Sequence, residues 1–385
     1  MANEYSDAES RLLDKARNIL PVVDQYRAWG TEHRDTAPQI IEQLNEAGLF
    51  RLFQPKSYGG EELDPRAFWA IQNVFAERCL STAWIHGVLC VQAFVLALFD
   101  RQAQDEVWGE SASTLVSSSF QPVGKVEATN GGYRLSGHWT FSSGSSYAKW
   151  AIVGGMVYPN GEEQPPQMGL FLLPRDDYQI VDTWHTFGLR ATGSNDIIAD
   201  DVWVPAHRMY LPSAGMVPDL SRAGELPALY QLPWLYIFSS GISNLGIGAC
   251  RAALNDFVDI AKARKSIVTG KATKEDPDAL KLITKARTAL VNAHMMYNRH
   301  VDEMLGFIER GEEMPLDYGL LLRSQMTGLM RELTQYVDQM RLLLGGRGVR
   351  EDSPITQHWL DMSAACAHPG NDSRGIETLY GKMQL

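Results

Sequence analysis

Apolar residues recur at helical spacing through the first hundred positions of this 385-residue chain. Leu12, Leu13, Ala16, Ile19 and Leu20 form one stripe, and Ile40, Ile41, Leu44, Ala47 and Leu49 form a second. Pro38 stands where a helix starts and Gly48 where it stops. The segment Phe53 to Gly60 is rich in turn formers and breaks the pattern. Two further apolar helices are expected near 65–79 and 81–99. From 114 to 205 the period changes. Tyr133–Phe141, Trp150–Gly155, Gly169–Leu173 and Asp201–Pro205 carry alternating or β-branched runs, and Asn130-Gly131-Gly132 is a hairpin turn signal. After a proline-bearing connector at 212–233, helical periodicity returns near 236–265, 277–309 and 316–344. Amphipathic helices of that length pack as a bundle and present outer faces for an oligomer.

This order predicts an α+β chain in three parts. They are an N-terminal helical domain over 1–112, a central antiparallel β domain over 113–212, and a C-terminal four-helix bundle over 213–385. The net charge of −11 leaves no basic excess to neutralise phosphates, which argues against a nucleic-acid or anionic-membrane binder. No uninterrupted apolar run is long enough for a membrane span. The first residues, Met1 to Asp7, are polar and acidic, unlike a signal peptide. Cys79, Cys90, Cys250 and Cys366 form no CxxC pair, so reduced thiols in a cytoplasmic protein are expected. His33, His138, His185, His207, His294, His300 and His358 show no metal-ligand spacing, so no metal is expected.

Four segments, in order along the chain, resemble the acyl-CoA dehydrogenase superfamily. They are Leu44–Phe50 with Pro55–Gly60, Gly132–Trp139 with Phe141–Gly144, Phe187–Ser194 running into Val202–Pro205, and Leu344–Gly348. Within it the chain is most similar to the oxygenase components of two-component aromatic hydroxylases, which act on hydroxyphenylacetate or on phenolic steroid rings. The dehydrogenases carry a glutamate base late in the chain, in a Tyr-Glu-Gly-Thr-like segment. Here the segment reads Ala367-His368-Pro369-Gly370-Asn371-Asp372, with Asp361 seven residues before the imidazole. A base with an ordinary pKa near ~6.5 suits a phenol better than a far weaker carbon acid.

The resemblance implies reduced FMN or FAD as cofactor, O2 as co-substrate and a separate NAD(P)H-dependent flavin reductase. It implies an oxygen adduct at the flavin C4a carbon that survives only where water is excluded, a small aromatic substrate, and a homotetramer. It also implies site residues. His368 would deprotonate or polarise the substrate hydroxyl. Ser118, in Ser117-Ser118-Ser119-Phe120, would orient the substrate, with Ser119 and Phe120 beside it. Ser143 would lie by flavin N5, Ser142 next to it, and Trp139 against the isoalloxazine. Arg264, Gly345 and Gly346 would serve the flavin phosphate. His86 and Gln92, on the expected 81–99 helix, would wall the pocket. No GxGxxG stands between a strand and a helix, which fits reliance on an external reductase.

The alternatives are oxygenation of an indole or of a sulfur or nitrogen atom, an FAD-dependent acyl-CoA dehydrogenase, and a non-catalytic binding subunit. The missing carboxylate separates the dehydrogenase. The joint presence of Trp139, Ser143 and His368 argues against the non-catalytic subunit.

Overall fold

The computed structural model describes residues 6–158, 165–265, 270 and 272–385; the polar segment 1–5 lies outside them. Five helices open the chain: α1 (Asp7–His33), α2 (Pro38–Glu46), α3 (Pro65–Ala76), α4 (Leu80–Leu96) and α5 (Arg101–Trp108). The Ser6 hydroxyl accepts from the Glu9 N–H while Glu9 reaches back to the Ser6 N–H, a capping box that sets the start of α1. Leu12, Leu13, Ala16 and Ile19 are buried, as the periodicity predicts, while Leu20 is half-buried and Val23 completes the stripe. Every residue of α4 is buried. A helix apolar all round sits inside a core, and α4 packs against α3, the start of the sheet and the C-terminal helices.

The β domain holds seven strands: β1 (Val116–Thr129), β2 (Gly132–Ser142), β3 (Trp150–Val157), β4 (Gln167–Pro174), β5 (Gln179–Val181), β6 (Asn195–Pro205) and β7 (Met209–Tyr210). Their order is β5-β6-β2-β1-β3-β4-β7. Thr129 pairs with Gly132 across the two-residue Asn130-Gly131 turn, so that hairpin forms where the sequence places it.

The sheet is mixed, which corrects the antiparallel expectation. The long β1 serves two partners: Val116–Ser119 runs parallel to β3, and Lys125–Thr129 runs antiparallel to β2. An irregularity between Ser119 and Gly124 separates the two ladders and bends the strand. Leu135, Trp139, Val153, Phe171 and Ile197 share one buried cluster drawn from both wings.

Trp139 belongs to that cluster. It is fully buried, and its Nε1 donates to the Gly154 carbonyl at 2.8 Å. The indole lies over Gly137, where an added Cβ would sit 2.6 Å from the ring. Trp139 is therefore a core residue of the β domain and is not among the residues lining the cavity between the β domain and the helices.

Seven helices complete the chain: α6 (Ala228–Gln231), α7 (Trp234–Ser243), α8 (Leu245–Ala263), α9 (Pro277–Arg310), α10 (Leu316–Leu343), α11 (Pro354–Ala365) and α12 (Arg374–Met383). Asp276 caps the 34-residue α9, with Pro277 at its first position and Gly311 in the left-handed region at its end. Among the described residues no helix is long and apolar enough to cross a membrane.

Trp139→Phe should cost about 1–3 kcal/mol, because it leaves a buried carbonyl unpaired and a gap beside Gly137. Thermal unfolding should show the loss, while flavin affinity of the folded variant should match wild type. A selective loss of flavin affinity would return Trp139 to the binding site.

Candidate active site

A cavity of about 330 Å³ lies where the β domain meets the helices. Trp84, Val88 and Gln92 reach it from successive turns of α4, and Leu235, Phe238 and Ser239 from one face of α7. The 117–122 stretch of β1, Thr140, Phe141 and Ser143 form the β side, while Arg323 of α10 and the turn at 368–370 close it. No Asp or Glu is among these lining residues. A larger groove of about 780 Å³ on the β domain is open and carries Asp176, Asp177, Asp200 and His138; of the expected site residues it holds none.

His368 follows α11 and caps the short turn 369–371. Its Nδ1 accepts the Gly370 N–H at 2.9 Å. The turn is pinned from below by Asn371, whose amide donates to Ile242 O at 3.2 Å and Ala365 O at 2.9 Å, and which accepts from the Ser243 hydroxyl. Trp84 and Phe238 flank the imidazole, with ring centroids 5.5 and 6.1 Å away. Burial lowers the His368 pKa to about 4, so the ring is neutral at pH 7. With Nδ1 occupied as acceptor, the neutral tautomer carries its proton on Nε2, which has no hydrogen-bond partner among the described residues. The imidazole thus presents an N–H to the cavity.

Ser143 begins a directed chain. The Trp84 indole N–H donates to Ser143 Oγ at 3.0 Å; Ser143 and Ser194 hydroxyls are 2.6 Å apart, as are those of Ser194 and Thr192. Thr192 Oγ1 donates to Leu189 O at 3.0 Å. One hydroxyl has one proton. Since Thr192 spends its proton on the carbonyl, Ser194 donates to Thr192 and Ser143 donates to Ser194. What remains on Ser143 is a lone pair. The far end of the chain is held by Asp361, whose Oδ1 accepts the Leu189 N–H at 2.7 Å. Gly188 lets that segment touch α11, since a Cβ there would lie 2.2 Å from Leu360 O. Burial pushes the Asp361 carboxyl up to about 6 against the bond from Leu189. Asp361 makes no hydrogen bond to His368.

The other expected residues separate. Ser118, Phe120 and Gln92 line the cavity. Ser119 lines it too, but its hydroxyl donates to Thr140 O at 2.8 Å. Ser142 is fully buried behind the wall. His86 is a core residue: Nε2 meets Leu49 O at 3.0 Å, Phe50, Phe68 and Phe75 surround it, and burial takes its pKa to about 3. That corrects its placement in the pocket wall. Arg264 and Gly345 come together elsewhere: the guanidinium donates to Thr273 Oγ1 at 2.9 Å and Leu344 O at 3.2 Å, at the exposed end of α10 beside Gly346. They do not line this cavity.

Several lining residues were given no site role by the sequence reading. Phe141 lines the cavity, 58% exposed and at φ 66°. Trp84, Phe238, Ser239 and Arg323 join it. Arg323 alone left a sequence signal: it is a cation three residues from Leu320 and Met326, inside the apolar stripe of α10.

A β domain between two helical layers, with a carboxylate-free cavity at their junction, defines an acyl-CoA dehydrogenase fold without the dehydrogenase base. The comparisons agree. The acyl-CoA dehydrogenase N-terminal domain matches residues 7–111 and its C-terminal domain residues 240–373. The chain is 32% identical over 368 residues to the flavin-dependent monooxygenase oxygenase subunit HsaA of Rhodococcus jostii, covering 94% of this chain and 95% of that one. It is 29% identical to the oxygenase component of the FADH2-dependent resorcinol hydroxylase of Rhizobium sp., covering 97% and 94%. The solved structure of XiaF from Streptomyces sp., in complex with FADH2 and glycerol, superimposes with a TM-score of 0.88 at 26% identity, covering 97% and 95%. The chain belongs to the oxygenase components of flavin-dependent monooxygenases within the acyl-CoA dehydrogenase superfamily.

Asp361→Ala should cost about 1–3 kcal/mol by leaving the Leu189 N–H unpaired, and Asp361→Asn should cost less because it keeps an acceptor. The native carboxyl holds its proton to about pH 6, whereas an unfolded one releases it near ~4. The folded state therefore binds more protons between those values, and wild type should lose stability relative to Asp361→Asn as pH rises through that window. Denaturant titrations at several pH values would show this, and a constant difference would contradict it.

Proposed function

We propose that this chain uses reduced FMN or FAD and O2 to hydroxylate a small aromatic, phenolic substrate, with reduced flavin supplied by a separate reductase. The observation that carries the reading is the pairing of an N–H on His368 with a lone pair on Ser143 in one carboxylate-free cavity. The residues fit a reduced flavin. Ser143 can accept the N5–H, Phe141 offers an aromatic face, and the 120–123 stretch, outside the β1–β3 ladder, leaves backbone groups for ring carbonyls. Bound reduced flavin supplies the two electrons that turn O2 into an electrophilic oxygen donor.

The chain's own residues do the rest. Ser143, whose proton is committed inward, holds the N5–H and keeps that proton from water. The substrate phenol releases its proton to solvent as it binds, and His368 donates Nε2–H to the resulting phenolate oxygen, stabilising the ionised form whose ring carbon ortho to the oxygen is more electron-rich than in the neutral phenol. Ser118, which lines the cavity, donates a second hydrogen bond to that oxygen. A deprotonating role for His368 needs the other tautomer and the loss of the Gly370 bond, so donation is the favoured role. Trp84, Phe238 and Phe141 exclude water. A dehydrogenase base has no candidate among the lining residues.

The same reading includes the three-part division at 1–112, 113–212 and 213–385, a cytoplasmic location with all four thiols unpaired, and a homotetramer. Leu280, Val291 and Met295 are exposed on α9, and in this reading Arg264, with Gly345 and Gly346, serves the flavin phosphate of a second copy.

The test supplies chemically reduced flavin and O2 to the protein with panels of phenols, indoles and thioethers, and measures product per flavin consumed. Coupled hydroxylation of a phenol supports the reading. Oxidation of flavin with hydrogen peroxide as the sole product across the panels contradicts it, and bleaching of bound FAD by an acyl thioester would favour the dehydrogenase. His368→Ala should lower the hydroxylation rate about 10–100-fold, the worth of a hydrogen bond to a charged group, with flavin affinity little changed. Because His368 is neutral above its pKa of about 4, the pH profile should show no limb from this group near ~6.5. A limb there that vanishes in His368→Ala would contradict the neutral donor.

A further inference from the structure

Arg323 is 7% exposed, lines the cavity, and has no carboxylate partner among the described residues. Its Nε is without a hydrogen-bond partner, and Nη1 meets only the Met216 sulfur, at 3.7 Å. Burial lowers its pKa to about 10, so it remains a cation at neutral pH. A buried, unpaired guanidinium is costly to the folded protein. Two further groups on the helical wall are also unsatisfied: the Ser239 hydroxyl, and both polar atoms of the Gln92 amide. These three side chains come from α10, α7 and α4, and α7 packs against both of the others. Together they offer one fixed positive charge, a hydroxyl and an amide. No acidic side chain in the cavity competes for them.

We propose that Arg323, with Ser239 and Gln92, is a receptor for a carboxylate carried by the aromatic substrate, which makes that substrate an aryl or arylalkyl carboxylic acid. The guanidinium fork matches a carboxylate in two parallel hydrogen bonds, and Ser239 and Gln92 satisfy its remaining lone pairs. The phenolic end of the same molecule then meets His368 and Ser118. The inference rests on the oxygenase reading for the ring, but the anion site is testable without it.

The experiment is calorimetric titration of the flavin-free protein with 4-hydroxybenzoate, 4-hydroxyphenylacetate and 3-(4-hydroxyphenyl)propionate, each against its neutral amide. At least one acid should bind about tenfold or more tightly than its amide. Arg323→Gln should bring the ratio near one, and Arg323→Lys should keep part of it. Thermal unfolding separates a receptor from a structural arginine. Arg323→Gln removes an unpaired buried charge, so its midpoint should equal or exceed that of wild type; a fall would mark a structural role and count against the proposal. If Arg323→Gln does not fold, the inference falls for the same reason. Equal binding of acid and amide by wild type, binding of neither, or an unchanged ratio in Arg323→Gln would overturn it. So would a variant that loses affinity for FMN or FAD and keeps the acid preference, because Arg323 would then serve the flavin. Should neutral phenols be hydroxylated while no acid is preferred, the anion receptor fails and the oxygenase reading stands. Should acids be preferred but never hydroxylated from reduced flavin, the reverse holds.

Discussion

The site depends on two backbone groups, the Gly370 N–H and the Leu189 carbonyl, that fix where its protons sit. The Gly370 N–H occupies Nδ1 of His368, and so decides which imidazole nitrogen carries the proton. The Leu189 carbonyl takes the Thr192 proton, and so decides the direction of a chain that ends on Ser143. The Leu189 carbonyl lies outside the cavity lining and Gly370 in the turn that closes it, and between them they set one donor and one acceptor facing the same space. Polarity fixed in this way costs no reorganisation when a ligand enters.

Holding those two backbone groups in place is the work of the surrounding packing. Asn371 ties the 368–371 turn to α7 and α11. Asp361 and the close approach at Gly188 tie the 187–194 segment to α11 as well. One helix therefore anchors both the imidazole and the hydroxyl chain, and α4, buried on every side, carries the Trp84 indole that meets both. The carboxylate-free lining follows from the same economy: a neutral imidazole, hydroxyls and aromatic faces suit a water-poor space, and Arg323 is the single charged exception.

Much of this was legible in the sequence, and the failures have physical causes. Helix stripes, the Asn130-Gly131 turn, and the order of helices and strands follow from local periodicity. His368 and Ser143 sit in segments whose resemblance to a known superfamily fixes their place. Trp139 and Phe141 share strand parity, so alternation alone points both to one face. The structure separates them because Phe141 adopts φ 66° where the β2–β6 register shifts, which turns it toward the cavity and leaves Trp139 in the core. The parallel β1–β3 pair depends on the break at Ser119–Gly124, a tertiary feature. His86 stands in a helix so uniformly apolar that no periodicity marks its face. Arg323 was readable as a cation in an apolar stripe, but only the structure shows that no acid answers it.

The most direct measurement is nitrogen NMR of the imidazole of His368 in protein labelled with 15N-histidine, assigned by difference against His368→Gln. The account predicts a neutral ring with a bare Nδ1 and a protonated Nε2, unchanged from about pH 5.5 to 8, since its pKa lies near 4. A ring protonated on Nδ1, or one that titrates near ~6.5, would contradict it.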